Sequence, residues 1–214
     1  MDELPSVGNR HDIVAIGASA GGVDAVCRLL GVLPNDLSAA IVIVVHQPMY
    51  KDSNLPAVLS RSTSLQVVAA KAGERLHRAI CHVGPPQTIL WIGSDLEIEL
   101  LDDGFYRIHR IDACFHSLAL HGGKRVIGVV MSSMLADGAI GLRAIRDAGG
   151  LALVQSPRDA RFGDMPQHAI EKAHPVDLIG TADQLGEAII QMVGRHAGPR
   201  GRELLSSSES RPFI

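Results

Sequence analysis

Aromatic residues are scarce in this chain of 214 residues: one Trp, two Tyr and four Phe make up only 3% of it. The apolar content, 46% of the chain, is therefore mostly Ala, Val, Ile and Leu, the mixture of β-branched strands and aliphatic helices expected of an α/β protein. Cysteine is equally sparse. Cys27, Cys81 and Cys114 are odd in number, far apart and outside C-x-x-C spacing, which excludes a disulfide framework and a thiolate zinc site and leaves them as core residues. Lys and Arg form no cluster and the formal charge is −3, so there is no electrostatic case for nucleic acid or an anionic membrane surface as a partner. No apolar run approaches the roughly 18 residues of a membrane span, and Met1 to Arg10 lacks the apolar core of a signal peptide. A cytoplasmic location without membrane insertion is expected.

What is present is a repeated strand, loop, helix pattern. Ile13-Val14-Ala15-Ile16 is an unbroken apolar strand stopped by Gly17, and after Gly21-Gly22 the residues Val23, Val26, Cys27 and Leu30 recur at helical spacing. Ala40 to Val45 is a second buried strand ending at His46, with a short helix around Leu55 to Leu59 beyond it. Between residues 65 and 109 the pattern changes to short strands at 67–69, 80–83, 89–92, 96–100 and 106–108. Gly84-Pro85-Pro86, Gly93-Ser94-Asp95 and Asp102-Asp103-Gly104 punctuate them, which predicts a β-hairpin-rich insertion. A helix at 112–120, a strand at 126–131 and a helix at 138–148 follow. The strand 151–154, a helix from about 165, the strand 176–179 and the helix 182–193 complete the series. The expected fold is a doubly wound, mostly parallel sheet with helices on both faces. One domain over 12–196 lies between a flexible N-terminus (1–11) and a disordered tail (197–214) marked by Gly198-Pro199-Arg200-Gly201 and Ser206-Ser207-Ser208.

In such a sheet functional residues gather at the carboxyl ends of the strands. Ser19, His46 and Asp137 stand after the first, second and 126–131 strands, and together they are the side chains of a nucleophilic hydrolase. Gly17-Ala18-Ser19-Ala20-Gly21 has the G-x-S-x-G form of a nucleophile elbow. Each residue also has a plain structural reading: Ser19 as a helix cap, His46 as a hydrogen-bonded structural histidine, and Asp137 as a helix N-terminal carboxylate. Gly17, Ser19 and Gly22 also fall on the three positions of a dinucleotide-binding G-x-G-x-x-G. However, Ser19 replaces the middle glycine, and His46 ends the second strand where a ribose-binding acid belongs. His109, His116 and His121 are not at metal-ligand spacing, and no metal or cofactor is expected.

The order Ser, His, Asp differs from that of the α/β-hydrolase, chymotrypsin and subtilisin families. Three ordered stretches are recognisable: Ile16 to Gly22, Val44-Val45-His46-Gln47-Pro48, and Met131-Ser132-Ser133-Met134-Leu135-Ala136-Asp137-Gly138-Ala139-Ile140-Gly141. They resemble the catalytic domain of the chemotaxis methylesterase CheB over about residues 12 to 193. Val83-Gly84-Pro85-Pro86, the Asp112 to Ser117 helix start and Gln155 to Pro166 add to the likeness. The resemblance implies a serine protein-glutamate methylesterase, with protein-glutamine glutaminase as a second activity, acting on the cytoplasmic helices of methyl-accepting chemoreceptors. By motif position Ser19 is the nucleophile, His46 the base and Asp137 the orienting acid. Ala20 and Met134 belong to the oxyanion and active-site loops, the Met134 amide being one oxyanion donor. Where the family loop reads Thr or Ser, Gly, Met, Gly, this chain has Ser132-Ser133-Met134-Leu135, and a left-handed backbone at 133 or 135 would be strained. Ala20 stands in place of a threonine, and Gln87-Thr88-Ile89 replaces a histidine-bearing segment. Residues 1–11 cannot supply the receiver domain that usually precedes this domain, so constitutive activity or a separate regulator is expected. The alternatives are a receptor-binding scaffold with little or no turnover and a serine hydrolase of another ester or amide.

Overall fold

The computed structural model describes residues 11–19, 21–46, 54–102, 109–133 and 137–193. Two six-residue aliphatic runs, β1 (Ile13–Ala18) and β2 (Ala40–Val45), are buried along their whole length, as interior parallel strands are. Between them α1 (Gly22–Val32) makes the crossover. The chain continues through α2 (Leu55–Leu59), β3 (Gln66–Ala69), β4 (Ile80–Val83), β5 (Thr88–Ile92) and β6 (Ile98–Asp102). It then alternates as α3 (Arg110–Gly122), β7 (Val126–Val130), α4 (Ala139–Asp147), β8 (Leu151–Gln155), α5 (Asp164–Lys172), β9 (Leu178–Gly180) and α6 (Ala182–Val193).

Seven strands form one parallel sheet in the order β3-β4-β2-β1-β7-β8-β9. Strand side chains alternate between its two faces. Val14, Ile16 and Ala18 of β1 join Val26, Leu29 and Leu30 of α1 and Leu185 and Ile189 of α6. Ile13 and Ala15 join Ile111 and Phe115 of α3, Leu142 of α4 and Met165 of α5 on the other face. Gly17 lies where α3 comes closest to β1: a methyl group there would sit 2.4 Å from Ile111 Cγ2. Helices on both faces and successive β-α units agree with the doubly wound α/β expectation.

The hairpin expected within 65–109 is present, but part of this region joins the main sheet instead. β3 and β4 are parallel to each other and extend the main sheet beyond β2, so among the described residues β5 and β6 alone form an antiparallel hairpin, from Thr88↔Asp102 to Ile92↔Ile98. Short apolar runs bounded by Gly and Pro look alike from sequence whether they close a hairpin or end a sheet. The decisive contacts are non-local: the Ala79 amide donates to the Ala39 carbonyl at 2.9 Å and starts β4 beside β2. The hairpin packs on α3 through Leu90, Ile92 and Ile98, and the Ile92 amide donates to Ser117 Oγ at 3.0 Å. The strand expected at 106–108, the N-terminal segment 1–10 and the tail from 194 lie outside the described residues. Among the described residues no helix is long and apolar enough to cross a membrane.

Candidate active site

The chain leaves β1 toward β2 on one side and returns to β7 on the other, so the sheet's switch point lies at β1 and the carboxyl ends of these three strands face one crevice. Ala18 and Val45 are register partners at the ends of β1 and β2. The next residue on each strand is Ser19 and His46. The His46 amide donates to the Ala18 carbonyl at 3.1 Å, and the Ser19 amide donates to the Ser132 carbonyl, just past β7, at 3.1 Å. Adjacent strands thus bring together residues 27 and 113 positions apart in sequence.

After Ser19 the chain turns tightly into α1, with the Gly22 amide donating to the Ser19 carbonyl at 2.8 Å. Gly21 has φ 72°, a left-handed conformation that favours glycine. The α1 N-terminus has no side-chain cap, and the Ser19 hydroxyl makes no hydrogen bond to another described residue, so the helix-cap reading of Ser19 is not realised.

His46 and Asp137 meet directly: Nε2 of the imidazole donates to Asp137 Oδ2 at 2.6 Å. Asp137 is 3% exposed. A carboxylate buried so deeply needs its lone pairs filled, and the N-terminus of α3 fills them. The Ile111 amide donates to Oδ2 at 2.8 Å and the Asp112 amide to Oδ1 at 2.9 Å. Asp137 therefore does sit at a helix N-terminus, but at that of α3 rather than of the helix that follows it in sequence. With Nε2 committed to Asp137, Nδ1 is the ring nitrogen left to accept a proton.

Asp112 returns the arrangement. Its Oδ1 accepts the Gly138 amide at 2.9 Å and the Gly141 amide at 2.7 Å at the start of α4. Burial pushes the Asp112 carboxyl above its ordinary range. The two amides oppose that shift and the Asp137 charge adds to it. His109, Asp112 and Asp137 offer ligand atoms within 4.8 Å of one another. Both carboxylates are already occupied by backbone amides and, at Asp137, by His46, so the cluster is accounted for as helix capping.

A second buried polar group fixes the chain beyond β7. Gln155, at the end of β8 and 1% exposed, accepts the Ser132 amide through Oε1 at 2.9 Å and donates through Nε2 to Asp159 Oδ2 at 2.7 Å. Asp159 also accepts the Ala182 amide at 3.1 Å and Arg28 Nη1 at 3.1 Å. Burial works to raise its carboxyl pKa, but the bonds from Gln155, the Ala182 amide and Arg28 outweigh it and hold the group below its ordinary range. Ser132 Oγ accepts the Phe162 amide at 3.0 Å, and Ser133 exchanges backbone bonds with Phe162 and Met165. Ser133 is not among the residues with positive φ, so its side chain is accommodated where the family pattern has glycine. Ala20, Met134 and Leu135 lie outside the described residues.

Ser19 and His46 therefore follow paired strand ends and His46 is hydrogen-bonded to Asp137, while the Ser19 hydroxyl makes no hydrogen bond to another described residue. Sequence reasoning missed Asp112 and Gln155 as parts of the site. The signal for Gln155 was a lone amide side chain ending the apolar strand Leu151 to Gln155. Beside Asp112, an apolar groove of about 490 Å³ opens between α3 and the hairpin, walled by Ile89, Trp91, Leu101 and Ile140.

The family model described as CheB methylesterase matches residues 14–189. A protein of Leptospira interrogans is 30% identical, in a match covering 85% of this chain and 95% of that one. The protein-glutamate methylesterase/protein-glutamine glutaminase of Geobacillus kaustophilus is 34% identical, over 85% of this chain and 54% of the relative. The protein of the same name from Moorella thermoacetica is 32% identical, over 85% and 44%. The chain thus spans about half the length of these last two. The crystal structure of the Thermotoga maritima CheB methylesterase catalytic domain superimposes with a TM-score of 0.78 at 24% identity, covering 85% of this chain and 98% of that one. It shows the same fold.

Proposed function

This chain belongs to the CheB methylesterase family, and on that premise we propose that it is a protein-glutamate methylesterase in which Ser19, His46 and Asp137 carry the reaction. The observation that supports this most is the 2.6 Å contact of His46 with a buried, doubly capped Asp137 at the strand end next to Ser19. A buried carboxylate of this kind fixes the imidazole tautomer and stabilises the imidazolium as it forms.

Ser19 Oγ attacks the carbonyl carbon of a glutamyl methyl ester while its proton passes to His46 Nδ1. The Ser–His hydrogen bond closes as substrate enters, as catalytic contacts commonly do. The tetrahedral intermediate expels methoxide, which takes the proton from His46 and leaves as methanol. Water then attacks the acyl-enzyme with His46 again accepting a proton. Collapse returns the His46 proton to Ser19 and releases the glutamate side chain as its acid, which loses its proton to water to become the carboxylate. The same steps on glutamine release ammonia, which makes deamidation a second activity of one site. The amide of Met134 is assigned as one oxyanion donor, and loss of such a donor costs about 10²–10³ in rate. The gathering of Ser132 and Ser133 onto Gln155 and Phe162 supports a fixed approach to that loop.

The substrate in this reading is the cytoplasmic helical region of methyl-accepting chemoreceptors, which gives the protein a cytoplasmic place of action, and a separate protein regulates it. Methanol release from methylated receptor fragments tests the reading, with Ser19→Ala expected to lose at least about 10³-fold in turnover. Binding without turnover in the parent protein would establish a scaffold role instead. Activity on other esters alone would move it to a different hydrolase class. Full activity unchanged by candidate response regulators would remove the separate regulator.

A further inference from the structure

The methyl ester that this reading assigns as substrate is small and neutral, so recognition of a protein substrate has to come from groups around it. On the loop 156–163 between β8 and α5, Arg158 and Arg161 are both exposed. Neither meets a carboxylate among the described residues, whereas Arg28, Arg75, Arg78, Arg125, Arg143 and Arg146 each do. Asp164, three residues beyond Arg161 and likewise exposed, forms no ion pair with either.

Arg161 lies against the nucleophile turn. A methyl group at Gly21, two residues from Ser19, would sit 2.8 Å from Arg161 Cδ and 3.0 Å from the Phe162 ring. The guanidinium stands 5.8 Å from the centroid of that ring. Its loop is fastened on both sides, by the Phe162 amide on Ser132 Oγ and by Asp159 on Gln155, Arg28 and the Ala182 amide. A guanidinium on a fixed support binds a carboxylate in a planar fork, which a mobile ammonium does not. On a helical substrate, residues three and four positions from the ester lie about 5–6 Å from it on the same face, within reach of a cation beside the nucleophile turn.

We propose that Arg158 and Arg161 form an acidic-peptide docking edge beside Ser19, binding carboxylates that flank the scissile ester on the substrate helix. The inference rests on the methylesterase reading for the nature of the ester, and its test is one of binding, so the two can fail separately. Full-length Ser19→Ala protein is titrated with two helical peptides, each bearing one glutamyl methyl ester, flanked at positions −4 and +4 by Glu in one and by Gln in the other. A preference of about three- to tenfold for the Glu-flanked peptide is expected, declining as salt rises. In Arg158→Glu/Arg161→Glu it should fall to about one or invert, and in Arg161→Lys, which keeps the charge without the fork, it should fall only in part. Arg158→Gln/Arg161→Gln repeats the loss without introducing like charges that could disturb the fold. Equal binding of the two peptides by the Ser19→Ala protein overturns the proposal, as does a preference that survives the charge-neutral pair of substitutions. Absence of methanol release from the Ser19-containing parent would remove the hydrolase reading and leave a demonstrated Glu preference standing.

Discussion

Asp112 and Asp137 each cap the helix that the other belongs to or precedes. Asp137, before α4, holds the first amides of α3 at 2.8 and 2.9 Å. Asp112, in the first turn of α3, holds the Gly138 and Gly141 amides at the start of α4 at 2.9 and 2.7 Å. Each helix start lacks four intrahelical amide partners, and here the two starts satisfy one another through two carboxylates. The same exchange places Asp137 where it meets His46.

Asp112→Ala should therefore destabilise the fold by about 1–3 kcal/mol, because two amides lose their acceptor, and should lower turnover as the 137–141 turn loosens. Asp112→Asn keeps an oxygen for those amides and removes a charge that burial disfavours, so its stability at pH 7 should equal or exceed that of the parent. The folded protein holds the Asp112 proton more tightly than the unfolded chain does. Ionisation of this group thus costs stability as pH rises through the window above about 4, and the advantage of the Asn variant should vanish on acidification below it. Urea unfolding of both variants at pH 3.5 and 7 checks each sign.

Asp137→Asn leaves one oxygen to serve two amides and loses the anionic acceptor for His46. Turnover should fall by about 10²–10⁴-fold with KM little changed. Asp137→Ala adds a stability loss of about 1–3 kcal/mol from the unpaired Ile111 and Asp112 amides. Steady-state kinetics beside thermal unfolding separates the chemical from the structural part.

Gln155→Leu removes the acceptor for the buried Ser132 amide and the donor to Asp159. The expected cost is about 1–3 kcal/mol in stability, with a fall in kcat larger than the rise in KM if the chain it fixes leads to the oxyanion donor proposed at Met134. Gln155→Glu, which keeps Oε1 as an acceptor but sets a second carboxylate against Asp159, should restore less than half of the loss. A kcat equal to the parent in Gln155→Leu would show that Ser132 is held well enough by Phe162 alone.

His82 on β4 is 2% exposed; its Nε2 accepts the His77 amide at 3.4 Å while Nδ1 has no partner among the described residues. Burial lowers its pKa below the ordinary 6.5, although the Glu74 charge opposes that shift. The unfolded chain then binds the proton more tightly, so stability is full above about pH 6.5 and declines as pH falls through the window beneath it. Replacing His82 with Leu should flatten that part of the stability profile, which thermal midpoints between pH 5 and 7.5 would reveal.

The buried strands β1, β2 and β7 and the helices α1 and α6 were legible because an unbroken apolar run and a 3.6-residue period are local properties of sequence. Ser19 and His46 were legible as polar residues directly after such strands, and Asp137 as a carboxylate in the loop beyond β7. β3 and β4 were misplaced because a short apolar run carries no record of its partner strand. Helix α3 begins two residues before its expected start, at Arg110, because Asp137, 27 residues further along, supplies the acceptor for its first amides.

By itself the sequence determined the class of fold and the order of most of the described elements, since these follow from composition and periodicity, and it singled out Ser19, His46 and Asp137 as candidates. Tertiary structure alone decided which strands are neighbours and that Asp112 and Asp137 exchange helix ends. It also decided that Gln155 holds Ser132 and that Arg161 lies against Gly21, two residues from Ser19. Most of these depend on hydrogen bonds or packing between segments 14 or more residues apart, and their partners are chosen by the way the parallel sheet closes rather than by any property of the residues nearby in the chain.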